Sequence, residues 1–227
     1  MQNIKLVKES EVPNSFRNSF VRGKFDFNDK KVKETFDVDI DIPEKWNVGV
    51  IVGSSGTGKS TIANELFDIK EYKFGHKSVI EEIKTDKDVN EIIDVFNKVG
   101  FSSPPSWLKP FGVLSNGEKM RVELAQSVLD NSEIIAFDEF TSVVDRQVAK
   151  VASHCVQKYI RKNDKKFVAI ACHYDILDWL EPDWILDTST MTFYLGKMSP
   201  TTKDHKSNLK SKNVKEVIGI NLGSIII

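Results

Sequence analysis

The sequence predicts a layered α/β domain, and three observations carry that prediction. Val48–Val52 is an apolar run that fits a strand buried on both faces, and Glu133–Phe137 and Phe167–Cys172 also read as strands. Helical periodicity fills the stretches between them. A glycine-rich turn, Gly53–Ser60, joins the first strand to the helix that follows it. Strands alternating with helices in this way build layers of helix on sheet.

The elements follow in order. Phe25 and Phe27 suggest an early strand. Phe36, Val38, Ile40 and Ile42 then alternate with Thr35, Asp37, Asp39 and Asp41, the period of two expected of a half-buried strand, and Pro43 closes it. Helical pattern runs from Lys59 to about Phe67. It returns from Asp88 to Val99, where Val89, Ile92, Ile93 and Phe96 recur at three- and four-residue steps. Ser102–Ser106 is a break, Asn116–Leu129 a helix, Glu133–Phe137 a strand and Asp145–Arg161 a helix. Phe167–Cys172 is a strand, Tyr174–Leu180 a short helix, and Trp184–Leu186 and Thr192–Leu195 are further strands.

Composition bounds the function classes. The chain has 227 residues, with 40% hydrophobic and 29% charged, enough for one sizeable core plus at most an appendage. Lys and Arg number 32 against 33 Asp and Glu, which excludes a strongly basic nucleic-acid coat and an acidic disordered chain. No apolar run approaches the about 20 residues of a membrane-spanning helix, and residues 1–10 lack the apolar core of a signal peptide. A cytoplasmic location is expected, with Cys155 and Cys172 as free, buried thiols. Residues 197–227, lysine-rich and ending Ile225-Ile226-Ile227, read as a flexible or truncated tail.

Three motifs carry chemistry. Gly53-Ser54-Ser55-Gly56-Thr57-Gly58-Lys59-Ser60 matches the phosphate-binding P-loop, set between a buried strand and a helix as that motif requires. Its glycines let the backbone curl so that N–H groups surround a phosphate, and the helix start adds its dipole. Lys59 reaches the β- and γ-phosphates, and Ser60, with Thr61 beside it, sits where Mg²⁺ takes an oxygen ligand. Asp138 and Glu139 follow an apolar strand, at the strand end where open α/β sheets bind ligands. Asp138 is placed to orient Mg²⁺ and Glu139 to act as general base toward water. Ser115-Asn116-Gly117-Glu118 opens the next-to-last long helix. It is a capping box, and a capped helix start also offers N–H groups to a phosphate.

Leu114–Glu118, followed by Arg121 and lying one helix before Asp138-Glu139, resembles the signature of the ABC (ATP-binding cassette) ATPase family, which shows Leu-Ser-Gly-Gly-Gln there. Ser142–Asp145 resembles the family's D-loop, and Asp145 serves equally as a helix N-cap. His173 resembles its switch histidine. The resemblance spans about residues 20–195. It implies an ABC-type P-loop NTPase fold with a mixed sheet, an N-terminal antiparallel β part and a helical subdomain reduced to about residues 66–130, within a domain of residues 1–196. It also implies MgATP as substrate with Glu139, His173 and Lys59 catalytic, Ser60 and Asp138 on the metal, and a head-to-tail, ATP-dependent homodimer. In that dimer Ser115–Glu118 and Asp145 of one subunit face the P-loop of the other.

Two departures stand out. The family places a glutamine between the P-loop helix and the signature, but residues 62–113 contain none, Gln126 lies beyond, and His76 and Ser78 are the stand-ins available. The intervening segment is short. Both departures favour a stand-alone ATPase, similar to those of phage and bacterial genomes that in some members carry an acetyltransferase-like domain, with no membrane partner and an unidentified protein or nucleic-acid partner. The alternatives are the ATP-binding subunit of an ABC transporter and a non-hydrolysing ATP-dependent switch. Phe16, Phe20, Phe25 and Phe27 are candidates to stack on adenine, Phe27 foremost. Trp107 reads as core.

Overall fold

The computed structural model describes residues 2–26 and 31–196. Phe27 and residues 197–227 therefore lie outside the described residues, and with them the foremost adenine candidate and the C-terminal segment.

Five strands form the central sheet. They are β3 (Val48–Val52), β4 (Ile134–Phe137), β5 (Lys166–Ala171), β6 (Trp184–Asp187) and β7 (Thr192–Leu195), ordered β4-β5-β3-β6-β7. The first four run parallel, and β7 closes the edge antiparallel to β6. β3 lies in the middle and all five of its residues are buried, which is why its sequence is a continuous apolar run rather than an alternating one. A separate two-stranded antiparallel ribbon, β1 (Gln2–Glu11) with β2 (Lys31–Ile40), pairs Ile4 with Val38 and Leu6 with Phe36. The mixed sheet and antiparallel ribbon are the fold class that the sequence predicts.

Two cores sandwich the sheet. On one face Val48, Val50, Val52, Phe167, Ala169 and Ile185 pack against α4 (Val89–Lys98), α6 (Asn116–Leu129), α7 (Arg146–Lys162) and α8 (Ile176–Leu180). On the other, Ile51, Ala136, Val168, Ile170 and Leu186 pack against α2 (Lys59–Leu66) and the ribbon residues Ile4, Phe36, Val38 and Ile40. The alternating side chains of each strand thus feed opposite cores.

Three expectations are corrected. The early strand expected at Phe25 is instead the end of α1 (Phe16–Lys24), capped at Ser15, whose hydroxyl accepts from Asn18 N. The Ser102–Ser106 break contains a helical turn, α5 (Pro104–Trp107), in which the prolines occupy the first two positions, where no N–H partner is needed. Cys155 and Cys172 are free but only half-buried. Trp107 is core, its Nε1 donating to Phe101 O at 2.7 Å. A short α3 (Val79–Glu82) precedes α4.

Gln126, buried in α6, has a structural task. Its Oε1 accepts from Lys84 N at 2.7 Å and its Nε2 donates to Lys84 O at 2.8 Å, so it fastens the segment after α3 to α6. Ser78 donates to Glu81 at 2.6 Å, and His76 is exposed. Among the described residues, no helix is long and apolar enough to cross a membrane.

Candidate functional site

Four loops leave the carboxyl ends of the parallel strands at one edge of the sheet. The P-loop follows β3, Asp138-Glu139 follows β4, His173 follows β5, and Thr188-Ser189 follows β6. An open α/β sheet collects ligands at that edge. The strand order sets the P-loop between the His173 and Thr188 loops, with Glu139 one strand further out.

The P-loop owes its shape to two close approaches. A Cβ on Gly53 would lie 2.2 Å from Thr188 Oγ1 and 2.8 Å from Thr57 Oγ1. One on Gly58 would lie 2.2 Å from Phe36 Cε1, and Gly58 has φ +84° besides, a conformation that favours glycine. Gly58 is also the N-cap of α2 and offers no side-chain acceptor. Among the described residues, the backbone N–H groups of Ser55, Gly56, Gly58, Lys59 and Ser60 have no protein acceptor outside this helix. Together with the helix start they form a set of donors suited to an anion. Lys59 is buried and its Nζ donates to Ser54 O at 2.8 Å, which keeps the ammonium against the curl of the loop. Ser60 and Thr61 are half-buried behind it.

A support that the motifs do not contain holds this loop from the β6 side. Thr57 Oγ1 donates to Ser54 O and lies 2.6 Å from Thr188 Oγ1. Ser54 N donates to Ser189 Oγ at 3.0 Å. Thr188 N is bonded to Val52 O. Tyr174 OH reaches Asp187 Oδ1 at 3.0 Å and Ser189 Oγ at 3.3 Å, and Ser189 N donates to Asp187 Oδ1 at 2.9 Å. Burial, with the Asp187 carboxylate beside it, pushes the Tyr174 hydroxyl well above its ordinary value, so it stays a neutral donor at physiological pH. The sequence signal for these residues is a short turn, Asp187–Thr190, at the carboxyl end of an expected strand.

The Asp138-Glu139 corner is strained. Glu139 has φ +52° and Thr141 has φ +64°. A non-glycine residue there costs on the order of 1–3 kcal/mol and persists only where its surroundings impose it. Asp138 Oδ1 accepts from Glu139 N at 2.8 Å, and Asp138 is half-buried while Glu139 is exposed. His173 is exposed at the end of β5. Among the described residues no group of three or more His, Cys, Asp or Glu could hold a metal. Ser60 and Asp138 are hard oxygen donors too few for a closed cage. They fit Mg²⁺, which takes one or two protein ligands and completes its shell with water and phosphate.

The remaining expected residues sit on helix starts. Ser115 caps α6: its Oγ accepts from Glu118 N, while Ser115 N and Oγ donate to Glu118 Oε2 at 2.9 and 2.7 Å. Ser106 Oγ donates to Glu118 Oε1 at 2.6 Å. These bonds, that from Ser106 first, hold the Glu118 carboxyl down to about 2. Glu118 thus turns back on the cap, and the N–H groups at Asn116 and Gly117 are the donors left at the helix start. Asp145 caps α7, accepting from Gln147 N and Val148 N. The P-loop, Glu139 and His173 follow the carboxyl ends of adjacent strands, whereas Ser115–Glu118 and Asp145 sit at the starts of α6 and α7, and among the described residues no hydrogen bond or ion pair joins them to Gly53–Thr61. Phe16, Phe20 and Phe25 are 86%, 61% and 66% exposed.

The fold is that of ABC-type P-loop NTPase cassettes. No protein-family model matches the chain. It is similar to the lactococcin-G-processing and transport ATP-binding protein LagD of Lactococcus lactis, at 28% identity over 66% of this chain and 27% of that protein. It is similar also to the energy-coupling factor transporter ATP-binding protein EcfA1 of Staphylococcus aureus, at 24% identity over 76% of this chain and 78% of that protein. The chain spans well under a third of the length of the first curated relatives. Among solved structures, the dimeric MJ0796 bacterial ABC transporter cassette aligns with a TM-score of 0.53 and 16% identity over 68% of this chain and 87% of that one. A putative metal-chelate type ABC transporter in an inward-facing conformation aligns with a TM-score of 0.58 and 16% identity over 78% and 82%. The chain therefore has the ABC cassette fold and its sequence similarity lies with transporter ATP-binding proteins. Nothing in these comparisons points to the stand-alone phage kind or to an acetyltransferase fusion.

Proposed function

We propose that this chain is an ATP-hydrolysing cassette that works as a head-to-tail dimer. The observation that carries the reading is the shared sheet edge, where the P-loop donors, Lys59, Asp138-Glu139 and His173 follow adjacent strands. The loop N–H groups and Lys59 bind the β- and γ-phosphates and hold the negative charge that develops as the terminal phosphoryl group moves. Ser60 and Asp138 would hold Mg²⁺, which when bound would supply charge neutralisation to the phosphates. Glu139 takes the proton of the attacking water. A P–O bond forms to that water, the bond to the β-phosphate oxygen breaks, and ADP leaves with the electron pair. His173 contacts the γ-phosphate. The α6 start of the second subunit, with Ser115, Asn116 and Gly117, closes the site from the other side. Solved dimeric cassettes of the same fold, one of them bound to ADP and Pi, support a dimeric ATP-hydrolysing reading.

The curated relatives favour the transporter alternative over a stand-alone enzyme. EcfA1, an energy-coupling factor transporter ATP-binding protein, aligns over most of both chains. Under this reading a separate membrane protein receives the work of the cycle, and the absent glutamine of residues 62–113 marks an altered coupling surface. The test is MgATP binding to Lys59→Ala. Affinity falls at least tenfold if Lys59 binds the phosphates, and unchanged affinity sinks the proposal.

A further inference from the structure

Resting on the ATPase reading above, we propose that Arg146 and Asp175 are positioning residues for the general base Glu139. The corner that carries Glu139 has two residues at positive φ, and one of them, Thr141, is β-branched and fully buried with its Oγ1 unpartnered among the described residues. Such a conformation is held by what surrounds it. Three of its restraints are local or come from β5. Asp138 Oδ1 takes Glu139 N, Ser142 N donates to Glu139 O at 3.0 Å, and the buried Phe140 donates from its N to Ile170 O at 2.8 Å.

The fourth comes from Arg146, whose Nη1 donates to Thr141 O at 3.4 Å. That bond is long and depends on where the guanidinium is held. Asp175 holds it with both oxygens, accepting from Nε at 2.8 Å and from Nη2, and the guanidinium carbon lies over the Trp179 ring at 5.2 Å from its centroid. Asp175 stands at the N-cap of α8 yet makes no capping bond with its side chain, so its carboxylate serves the fork of Arg146 instead of its own helix. Asp175 is also two residues from His173. The pair therefore joins the loop of the general base to the loop of the γ-phosphate contact, beside a second link from Ser142 Oγ to Cys172 Sγ at 3.7 Å.

The two side chains are 36% and 34% exposed, a setting in which an ion pair adds little to global stability. Its effect falls on geometry. A base displaced by about 1 Å loses on the order of a hundredfold in rate. The P-loop is held from the β6 side by Thr188 and Ser189, so phosphate binding is spared.

The experiment measures kcat, KM, mant-ATP affinity and thermal melting for the wild-type full chain and for Asp175→Asn, Arg146→Lys, Arg146→Ala/Asp175→Asn and Glu139→Gln. The expected result is a kcat lowered about 10- to 100-fold in Asp175→Asn, mant-ATP affinity within twofold of wild type, and a double variant no worse than the lower single. Arg146→Lys keeps the charge but loses the fork, so it folds and still loses kcat. Wild-type kcat in folded Asp175→Asn and Arg146→Lys overturns the proposal, as does a loss of kcat accompanied by equal losses of affinity and melting temperature. If Glu139→Gln abolishes turnover while these variants do not, the positioning role alone fails. If the wild type does not hydrolyse ATP, or Glu139→Gln turns over normally, the ATPase reading fails and takes the positioning role with it.

Discussion

Gly58→Ala puts one methyl group where the ribbon meets the P-loop. The new Cβ would lie 2.2, 2.6 and 2.7 Å from Cε1, Cζ and Cδ1 of Phe36, a ring that is itself buried. Overpacking of that kind costs about 1–3 kcal/mol. The backbone at φ +84° adds about 1–2 kcal/mol for any residue with a Cβ. The sum, about 2–5 kcal/mol, is a large part of the about 5–15 kcal/mol that stabilises an ordinary domain. Phe36→Ala alone costs about 3–5 kcal/mol by leaving a cavity. In the double variant the methyl group enters that cavity, so the losses are less than additive by about 1–3 kcal/mol, while the backbone term remains. Urea unfolding of wild type, both single variants and the double variant measures the coupling. Losses that add to within about 0.5 kcal/mol would refute the contact between ribbon and P-loop.

Two further predictions concern the helical part. The Glu118 carboxyl, ordinarily near 4.5, is held at about 2 in the folded chain, so the folded state binds fewer protons than the unfolded one between those values. Its stabilisation is complete above pH 4.5 and is lost as pH falls toward 2. The full difference corresponds to about 3 kcal/mol, reduced to about 1–2 kcal/mol by partial exposure. Glu118→Gln therefore flattens the acid limb of a melting-temperature profile, and an unchanged limb would remove Glu118 from that role. Gln126→Leu leaves both Lys84 peptide groups without their partner at nearly constant volume and costs about 1–3 kcal/mol in urea unfolding. A neutral result would show that the segment after α3 is held by other means.

The parts of this fold that were legible in the sequence are those whose cause is local. The P-loop is eight consecutive residues between a buried strand and a helix, and the α6 start is announced by Ser115 and Glu118 three positions apart. The alternation of Phe36, Val38 and Ile40 gave β2 its buried face. Phe25 misled because aromatic residues two apart suggest a strand, whereas the Ser15 cap begins a helix whose residues are all at least partly exposed and so carry no core periodicity. The support of the P-loop was not legible, since Ser54 and Ser189, or Thr57 and Thr188, meet only when β3 and β6 pair. The Arg146–Asp175 fork likewise depends on the approach of α7 and α8, which single-residue patterns do not encode.

Turnover and assembly of wild type beside Glu139→Gln decide most directly whether this chain is an ATPase that works as a dimer. Single-turnover MgATP hydrolysis and sedimentation, each with and without MgATP, are followed on the same samples. Wild type is expected to hydrolyse ATP, and Glu139→Gln to bind it, fail to cleave it and accumulate as an ATP-dependent dimer. Normal cleavage by Glu139→Gln, or bound ATP with neither cleavage nor dimer in wild type, would contradict it.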